Sequence, residues 1–202
     1  MSGRAGGPSL QWTGVVLAGG RSQRFGGVHK ARLPLGAGTL LQRAVNALAP
    51  LTTRCLVVGG PESAGLETVP DRHPGQGPLG GILTALDAID TSHALVLAVD
   101  LPFITGALLA SLQRAGEDAA VALLQHPDKR LALCLSVSRA CADPLHEAWE
   151  KGARRVRDMA DLGTTAVVGV DAETARVALW NVNDPLTYAR ALEMTEHDCP
   201  AC

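Results

Sequence analysis

Residues 14–35, GVVLAGGRSQRFGGVHKARLPL, decide the fold of this chain. The stretch opens with an apolar run that is rich in β-branched side chains and bounded by glycine, which is typical of a buried strand. Two glycines follow, where the backbone can approach a ligand without a Cβ in the way. Cationic and hydroxyl side chains come next: Arg21, Ser22, Arg24 and Lys30. This order predicts a phosphate-binding turn, because free N–H groups attract an anion and cations neutralise its charge.

Two common phosphate-binding motifs are absent from the sequence. No glycine is followed by Lys and then Ser or Thr, which excludes the Walker A loop. Residues 36–38 supply the first two glycines of a Rossmann G-x-G-x-x-G fingerprint, but Leu41 stands where the third should be. The turn therefore belongs to neither class.

Strand and helix patterns alternate along the chain, which predicts a three-layer α/β/α fold with a mostly parallel sheet. Apolar runs predict strands at residues 15–18, 55–58, 66–69, 94–99, 119–124 and 131–137. Capped or amphipathic segments predict a helix beginning at Thr39 and further helices at residues 79–89, 106–115, 138–151 and 186–193. Asp184 followed by Pro185 predicts the start of the last helix.

The strongest strand pattern, residues 94–99, ends at Asp100. Parallel α/β sheets bind their ligands at the carboxyl ends of the strands, so this carboxylate lies where a substrate is expected. Mg²⁺ in proteins binds one or two carboxylates together with phosphate oxygens and water. We therefore expect Asp100 to hold Mg²⁺ against the phosphates of a nucleotide, with capping of the next turn as its alternative role.

The composition indicates one domain with an aliphatic core. Hydrophobic residues make up 47% of the 202 residues, and aromatic residues only 3%. The net charge of −2 leaves nucleic-acid binding without electrostatic support. We expect a single domain over residues 13–196, with flexible tails at residues 1–12 and 197–202.

The sequence carries no sign of a membrane partner or of an oxidising compartment. No apolar run approaches the ~20 residues that span a bilayer, and residues 1–11 lack the apolar core of a signal peptide. The five cysteines are odd in number and widely spaced, which argues against a disulfide framework. We expect a cytoplasmic protein.

Four motifs in order give the chain a family resemblance. The first is Leu-Ala-Gly-Gly-x-Ser-x-Arg at residues 17–24, with Lys30 and a Leu-Pro-Leu segment behind it. The other three motifs occupy residues 77–81, 99–103 and 181–185. Together they resemble the molybdenum cofactor guanylyltransferases, which belong to the nucleotidyltransferases of Rossmann-like fold, the nucleotide-diphospho-sugar transferase type. The resemblance runs over residues 14–192.

The resemblance implies a Mg²⁺-dependent nucleotidyl transfer. A phosphate oxygen of the molybdopterin cofactor would attack the α-phosphorus of GTP, and pyrophosphate would leave. The implied partners are these two small molecules, with cofactor-delivery proteins or molybdoenzymes as further candidates.

The resemblance also implies individual roles. The residues expected to enclose the guanine base are Leu17, Ala18, Gly19 and Gly20, through their backbone groups, with Gly77, Pro78 and Leu79. Asp71 is expected to contact the nucleoside, although a carboxylate there also suits a turn cap. The residues expected at the metal and the leaving phosphates are Arg24, Lys30 and Asp100. Those expected near the second substrate are Arg154, Asn181 and Asn183.

One position departs from the family pattern. The family usually has aspartate immediately before the lysine and a shorter glycine segment, whereas His29 precedes Lys30 here, and Gly26 and Gly27 carry one extra residue. Two alternatives therefore stay open. One is the same chemistry with a different base or acceptor, such as cytidylyl transfer, and the other is a nucleotide-binding protein without turnover.

Overall fold

A computed structural model describes residues 11–19, 25–63 and 65–197, with His197 described by its backbone alone. The strands in these ranges are β1 (Trp12–Leu17), β2 (Pro34–Leu35), β3 (Gly38–Thr39), β4 (Arg54–Val58), β5 (Glu67–Val69), β6 (His93–Ala98), β7 (Val121–Gln125), β8 (Leu131–Ser138) and β9 (Thr165–Gly169). The α-helices are α1 (Leu40–Leu48), α2 (Pro78–Ala88), α3 (Gly106–Asp118), α4 (Ala142–Glu150), α5 (Ala172–Ala178) and α6 (Pro185–His197). Short 3₁₀ helices span Lys30–Arg32, Ala49–Leu51, Arg139–Cys141 and Val156–Asp161.

Seven of the strands form one sheet in the order β5-β4-β1-β6-β8-β7-β9. Every neighbouring pair is parallel except the two pairs of β8, which runs against both β6 and β7. Residues 126–130 join β7 to β8, and so short a connection allows a hairpin but no crossover. The carboxyl ends of β1, β4 and β6 therefore meet the amino end of β8 at one edge of the sheet.

Helices cover both faces of this sheet, as the sequence predicted. Val16 of β1 packs into the cluster that holds the apolar faces of α1 and α3. Its neighbours Val15 and Leu17 pack into the cluster that holds α2 and α4, because successive side chains of a strand point to opposite faces. The largest fully buried side chains are leucines and one isoleucine, so the predicted aliphatic core is confirmed. No helix within the described ranges has the length and apolarity needed to cross a membrane.

One predicted helix was wrong, and several observed elements were not predicted. The single helix expected over residues 138–151 is a 3₁₀ turn followed by α4, because Ser138 caps the turn and Pro144 falls in the first turn of α4, where proline is tolerated. The two-residue strands β2 and β3 were not predicted, and neither were β9 and α5. β9 is an edge strand whose side chains are never fully buried, so its sequence lacks a strong apolar pattern.

The glycine at position 116 lets α3 lie close against the sheet. A Cβ there would clash with the hydroxyl oxygen of Ser136 and lie 2.9 Å from the Trp12 ring. Ser136 has no room to yield, since it is fully buried and donates a 3.0 Å hydrogen bond to the Leu112 carbonyl.

Gly116→Ala should therefore lower the free energy of unfolding by about 1–3 kcal/mol, the usual cost of overpacking, although alanine is the better helix former. Gly106→Ala, at the first residue of the same helix, is the matched control, because no described atom lies within 4 Å of a Cβ built there. Urea unfolding of both variants measures the difference. A Gly116→Ala protein as stable as the wild type would contradict this account of the packing.

Candidate active site

A cleft of about 520 Å³ opens at the carboxyl edge of the sheet. Its walls are the ends of β1, β4 and β6, the beginnings of β8 and α2, and the loop that precedes α2. The lining residues are Leu17, Ala18, Gly19, Phe25, Lys30, Val58, Asp71, Gly75, Gly77, Pro78, Gly81, Ala98, Val99, Asp100, Leu133 and Asn183. Most of the residues that the sequence predicted for the nucleotide are in this set.

Three predicted residues from distant parts of the chain meet in the cleft. The Lys30 ammonium group donates a 3.0 Å hydrogen bond to Asn183 Oδ1 and forms an ion pair with Asp100 Oδ2 at 3.4 Å. Lys30 follows the glycine segment, Asp100 follows β6, and Asn183 precedes α6. The cation is therefore held between a carboxylate and an amide oxygen at the end of a central strand.

Backbone contacts place Asn183 next to Asp100. The Val182 N–H donates to the Asp100 carbonyl oxygen at 2.9 Å, and the Val182 side chain is fully buried. The Thr187 hydroxyl oxygen accepts from the Asn183 N–H at 3.0 Å, while Asp184 Oδ1 accepts from the Thr187 N–H at 2.8 Å. The second bond caps α6, so the helix start predicted from Asp184 and Pro185 is confirmed.

Burial and the Lys30 cation act in opposite directions on Asp100. Burial raises the pKa of its carboxyl group, and the Lys30 ammonium opposes this shift. Its Oδ1 atom is buried and has no hydrogen-bond partner among the described residues, which leaves one carboxylate oxygen for a ligand. The described residues contain no group of three or more His, Cys, Asp or Glu side chains that could hold a metal. A cation here would therefore rely on bound phosphates, as Mg²⁺ does.

The other end of the cleft is built around Gly19. The N–H groups of Ala18 and Gly19 both donate to the Val58 carbonyl oxygen, at 3.0 and 3.2 Å. These two residues can therefore offer a ligand only their carbonyl oxygens. A Cβ on Gly19 would lie 3.5 Å from Asp71 Oδ2, so this carboxylate faces the same backbone. Asp71 Oδ1 accepts from the His73 N–H at 2.8 Å, and the predicted turn-capping role is thus also present.

Arg154 is beside the cleft, but its cation is engaged elsewhere. The guanidinium carbon lies 3.7 Å from the centre of the Trp149 ring, and Nη1 donates to the carbonyl oxygens of Trp149 and Ala153 at 2.8 and 2.7 Å. The Arg154 backbone contacts the loop before α2, because a Cβ on Gly77 would lie 2.7 Å from its carbonyl oxygen. The structure places Arg154 as a support for that loop.

The remaining predicted residues are not brought to the cleft surface or cannot be located. The Leu79 side chain is fully buried in the core beneath α2. Asn181 is exposed and is not among the lining residues. Gly20 and Arg24 lie outside the described residues, as does the tail at 198–202.

Some lining residues carry no motif in the sequence. Leu133 reaches the cleft only because β8 runs antiparallel and so begins at the edge where β6 ends. Phe25 packs edge-on against Tyr188, with ring centres 6.2 Å apart, and Tyr188 donates to the Pro34 carbonyl oxygen. These positions depend on contacts between distant segments, which a single sequence does not reveal.

Solved structures share this architecture. Molybdopterin-guanine dinucleotide biosynthesis protein A from Archaeoglobus fulgidus superposes with a TM-score of 0.73 at 22% identity, covering 92% of this chain and 99% of that one. 2-C-methyl-D-erythritol 4-phosphate cytidylyltransferase from Thermus thermophilus superposes with a TM-score of 0.67 at 20% identity, covering 90% and 98%. The fold, with its cleft at the carboxyl edge of the sheet, is that of the Rossmann-like nucleotidyltransferases.

Sequence similarity narrows this class. The family model described as the MobA-like NTP transferase domain matches residues 14–165. A Chloroflexus aggregans protein named "Probable molybdenum cofactor guanylyltransferase" is 35% identical over 186 residues, 87% of this chain and 86% of the relative. The chain belongs to the MobA-like NTP transferase family, and it is an enzyme of the nucleotidyltransferase class.

The contact between Gly77 and Arg154 can be tested with a matched pair of glycines. Gly77 and Gly152 both have positive φ, +102° and +98°, so alanine strains the backbone similarly at either position. Of these two positions, Gly77 is the one where an added Cβ would contact another segment of backbone, at the Arg154 carbonyl oxygen. We expect Gly77→Ala to weaken binding of a nucleoside triphosphate with Mg²⁺ roughly tenfold, because the overpacked loop must move.

Isothermal titration calorimetry of both variants measures this effect. Gly152→Ala should bind as the wild type does, since no described atom lies within 4 Å of its Cβ. Equal losses of affinity in the two variants would show that backbone strain, and not the contact with Arg154, determines the conformation of the loop.

Proposed function

We propose that this enzyme transfers GMP from GTP to the phosphate of the molybdopterin cofactor and releases pyrophosphate. The observation that carries the proposal is the cluster of Lys30, Asp100 and Asn183 at the cleft, where the described residues provide a cation and an unpartnered carboxylate oxygen side by side. The printed name of the Chloroflexus relative supports the choice of GTP and of the acceptor.

The edge of the cleft at Gly19 suits a base that presents hydrogen-bond donors. Ala18 and Gly19 can offer carbonyl oxygens, and the Asp71 carboxylate faces the same edge, so the polar groups there are acceptors. Guanine presents a ring N–H and an exocyclic amino group next to each other, whereas the same edge of adenine has an unprotonated ring nitrogen. This pattern of acceptors favours guanine over adenine.

The transfer requires little covalent chemistry from the protein itself. An oxygen of the acceptor phosphate forms a bond to the α-phosphorus of GTP, and the bond from that phosphorus to the β-phosphate oxygen breaks. Charge neutralisation and positioning therefore account for most of the catalysis. The Lys30 ammonium group, which pairs with Asp100 in this structure, is placed to stabilise charge on the leaving phosphates. We propose that Arg24 assists it.

A divalent cation fits the site because Asp100 offers a buried Oδ1 atom that has no hydrogen-bond partner within the described part of the chain. When bound, Mg²⁺ would neutralise phosphate charge and help to align the reacting oxygens. Asp100 would hold it, and Asn183 would keep Lys30 beside the carboxylate. We propose that the acceptor phosphate enters on the side of Asn183, with Asn181 and Arg154 as further candidates for this substrate.

The proposal is tested by measuring pyrophosphate release from GTP, CTP and ATP, with the molybdopterin cofactor as acceptor and with Mg²⁺ present or chelated. We expect release from GTP only, with loss of activity on chelation. Release from CTP in preference to GTP would replace the base assignment with cytidylyl transfer. Tight Mg²⁺-dependent GTP binding without release, with this acceptor, would indicate a protein that binds the nucleotide without turnover.

Asp100→Asn and Lys30→Met should each lower kcat roughly 10²–10³-fold, the usual loss when one group that stabilises developing charge is removed. Both substitutions nearly preserve side-chain volume, so thermal unfolding should stay close to that of the wild type. The matched controls are Asp90→Asn and Lys151→Met, whose side chains are 83% and 78% exposed. Steady-state kinetics of the four variants decides the assignment, and near-normal turnover in the first two would refute it.

A further inference from the structure

His29 caps the turn that carries Lys30. Its Nδ1 atom accepts a 3.3 Å hydrogen bond from the Ala31 N–H, at the start of the 3₁₀ helix Lys30–Arg32. Ala31 is fully buried, so its N–H needs a partner within the protein. The His29 ring therefore does what a carboxylate or hydroxyl usually does at the beginning of a helix.

The backbone of Gly59 also acts on the His29 ring, since it raises the pKa of His29. Because Nδ1 accepts from the Ala31 N–H, a neutral His29 ring carries its proton on Nε2.

Gly59 lies against the backbone that we assign to the base. A Cβ on Gly59 would be 3.0 Å from Gly19 Cα and 3.1 Å from Asp71 Cβ. The backbone that acts on the pKa of the His29 ring therefore also borders the Gly19 edge. Burial lowers the pKa of His29, the Gly59 backbone opposes this shift, and nearby Arg32 lowers the pKa further. The resulting pKa lies below the ordinary value of 6.5, so the neutral ring predominates at pH 7.

We propose that His29 is a positioning residue, which holds the Lys30 ammonium group beside Asp100 by capping the turn that carries Lys30. This inference rests on the proposed function. It assigns a structural task to the residue that departs from the family pattern, and it removes the main reason to expect a protein without turnover.

The test is a double-mutant cycle between positions 29 and 30. His29→Ala should lower kcat for pyrophosphate release roughly tenfold, with a smaller change in the KM for GTP, because the turn that carries Lys30 loses its cap. In a Lys30→Met background, His29→Ala should cause no further loss, because its effect passes through Lys30. His29→Asp retains a cap acceptor and should recover kcat to within about threefold of the wild type.

Val28→Ala is the matched control, since Val28 belongs to the same loop and its side chain is 49% exposed. It should behave as the wild type does. A full tenfold loss from His29→Ala in the Lys30→Met background would overturn the proposal, and so would a His29→Asp protein as impaired as His29→Ala. Urea unfolding of each variant confirms that the protein is folded under the assay conditions.

Two readouts do not require turnover. Amide hydrogen exchange at Ala31 should be faster in His29→Ala than in the wild type, and protected in His29→Asp. The affinity for pyrophosphate with Mg²⁺, measured by calorimetry, should follow the same double-mutant cycle. If wild-type protein releases no pyrophosphate from any nucleotide, the proposed function fails, while these two measurements still decide whether His29 positions Lys30. Unchanged exchange at Ala31 in His29→Ala would overturn the proposal.

Discussion

The ion pair of Lys30 with Asp100 is the interaction on which the site depends. Burial by itself disfavours the charged form of Asp100, and the ammonium group at 3.4 Å counteracts that cost. The pair can form only where the end of β6 meets the turn that follows the glycine segment. The sheet order places β6 next to β1, and this brings the two segments together. The topology of the sheet is therefore also what creates the charge distribution of the cleft.

The fold was largely predictable because its strong patterns are local. β1, β4 and β6 are apolar runs that end in glycine or aspartate, and such runs indicate buried parallel strands. The reversal of β8 was not predicted, since it depends on pairing between strands that are distant in sequence. β9 was not predicted either, because an edge strand needs no continuous apolar run.

The position of a site residue was predictable where a chemically suitable side chain follows a strand directly, as at Asp100. It was less predictable for a long side chain that can reach several alternative partners. Arg154 lies near the expected position, yet its guanidinium group is directed to the Trp149 ring and two carbonyl oxygens. A carbonyl oxygen and an aromatic face compete with a phosphate for the same cation. The sequence shows that a cation is present near the cleft, and only the folded chain shows which partner it takes.

His29 illustrates how a substitution can preserve a geometry while changing its chemistry. A carboxylate before the lysine could cap the turn, but it would bring a negative charge next to Lys30. The neutral imidazole accepts from the Ala31 N–H without adding charge beside the Lys30–Asp100 pair. Because imidazole at this position adds no further carboxylate beside the cation, the Lys30 ammonium group is less strongly restrained from reaching a phosphate than it would be next to an aspartate.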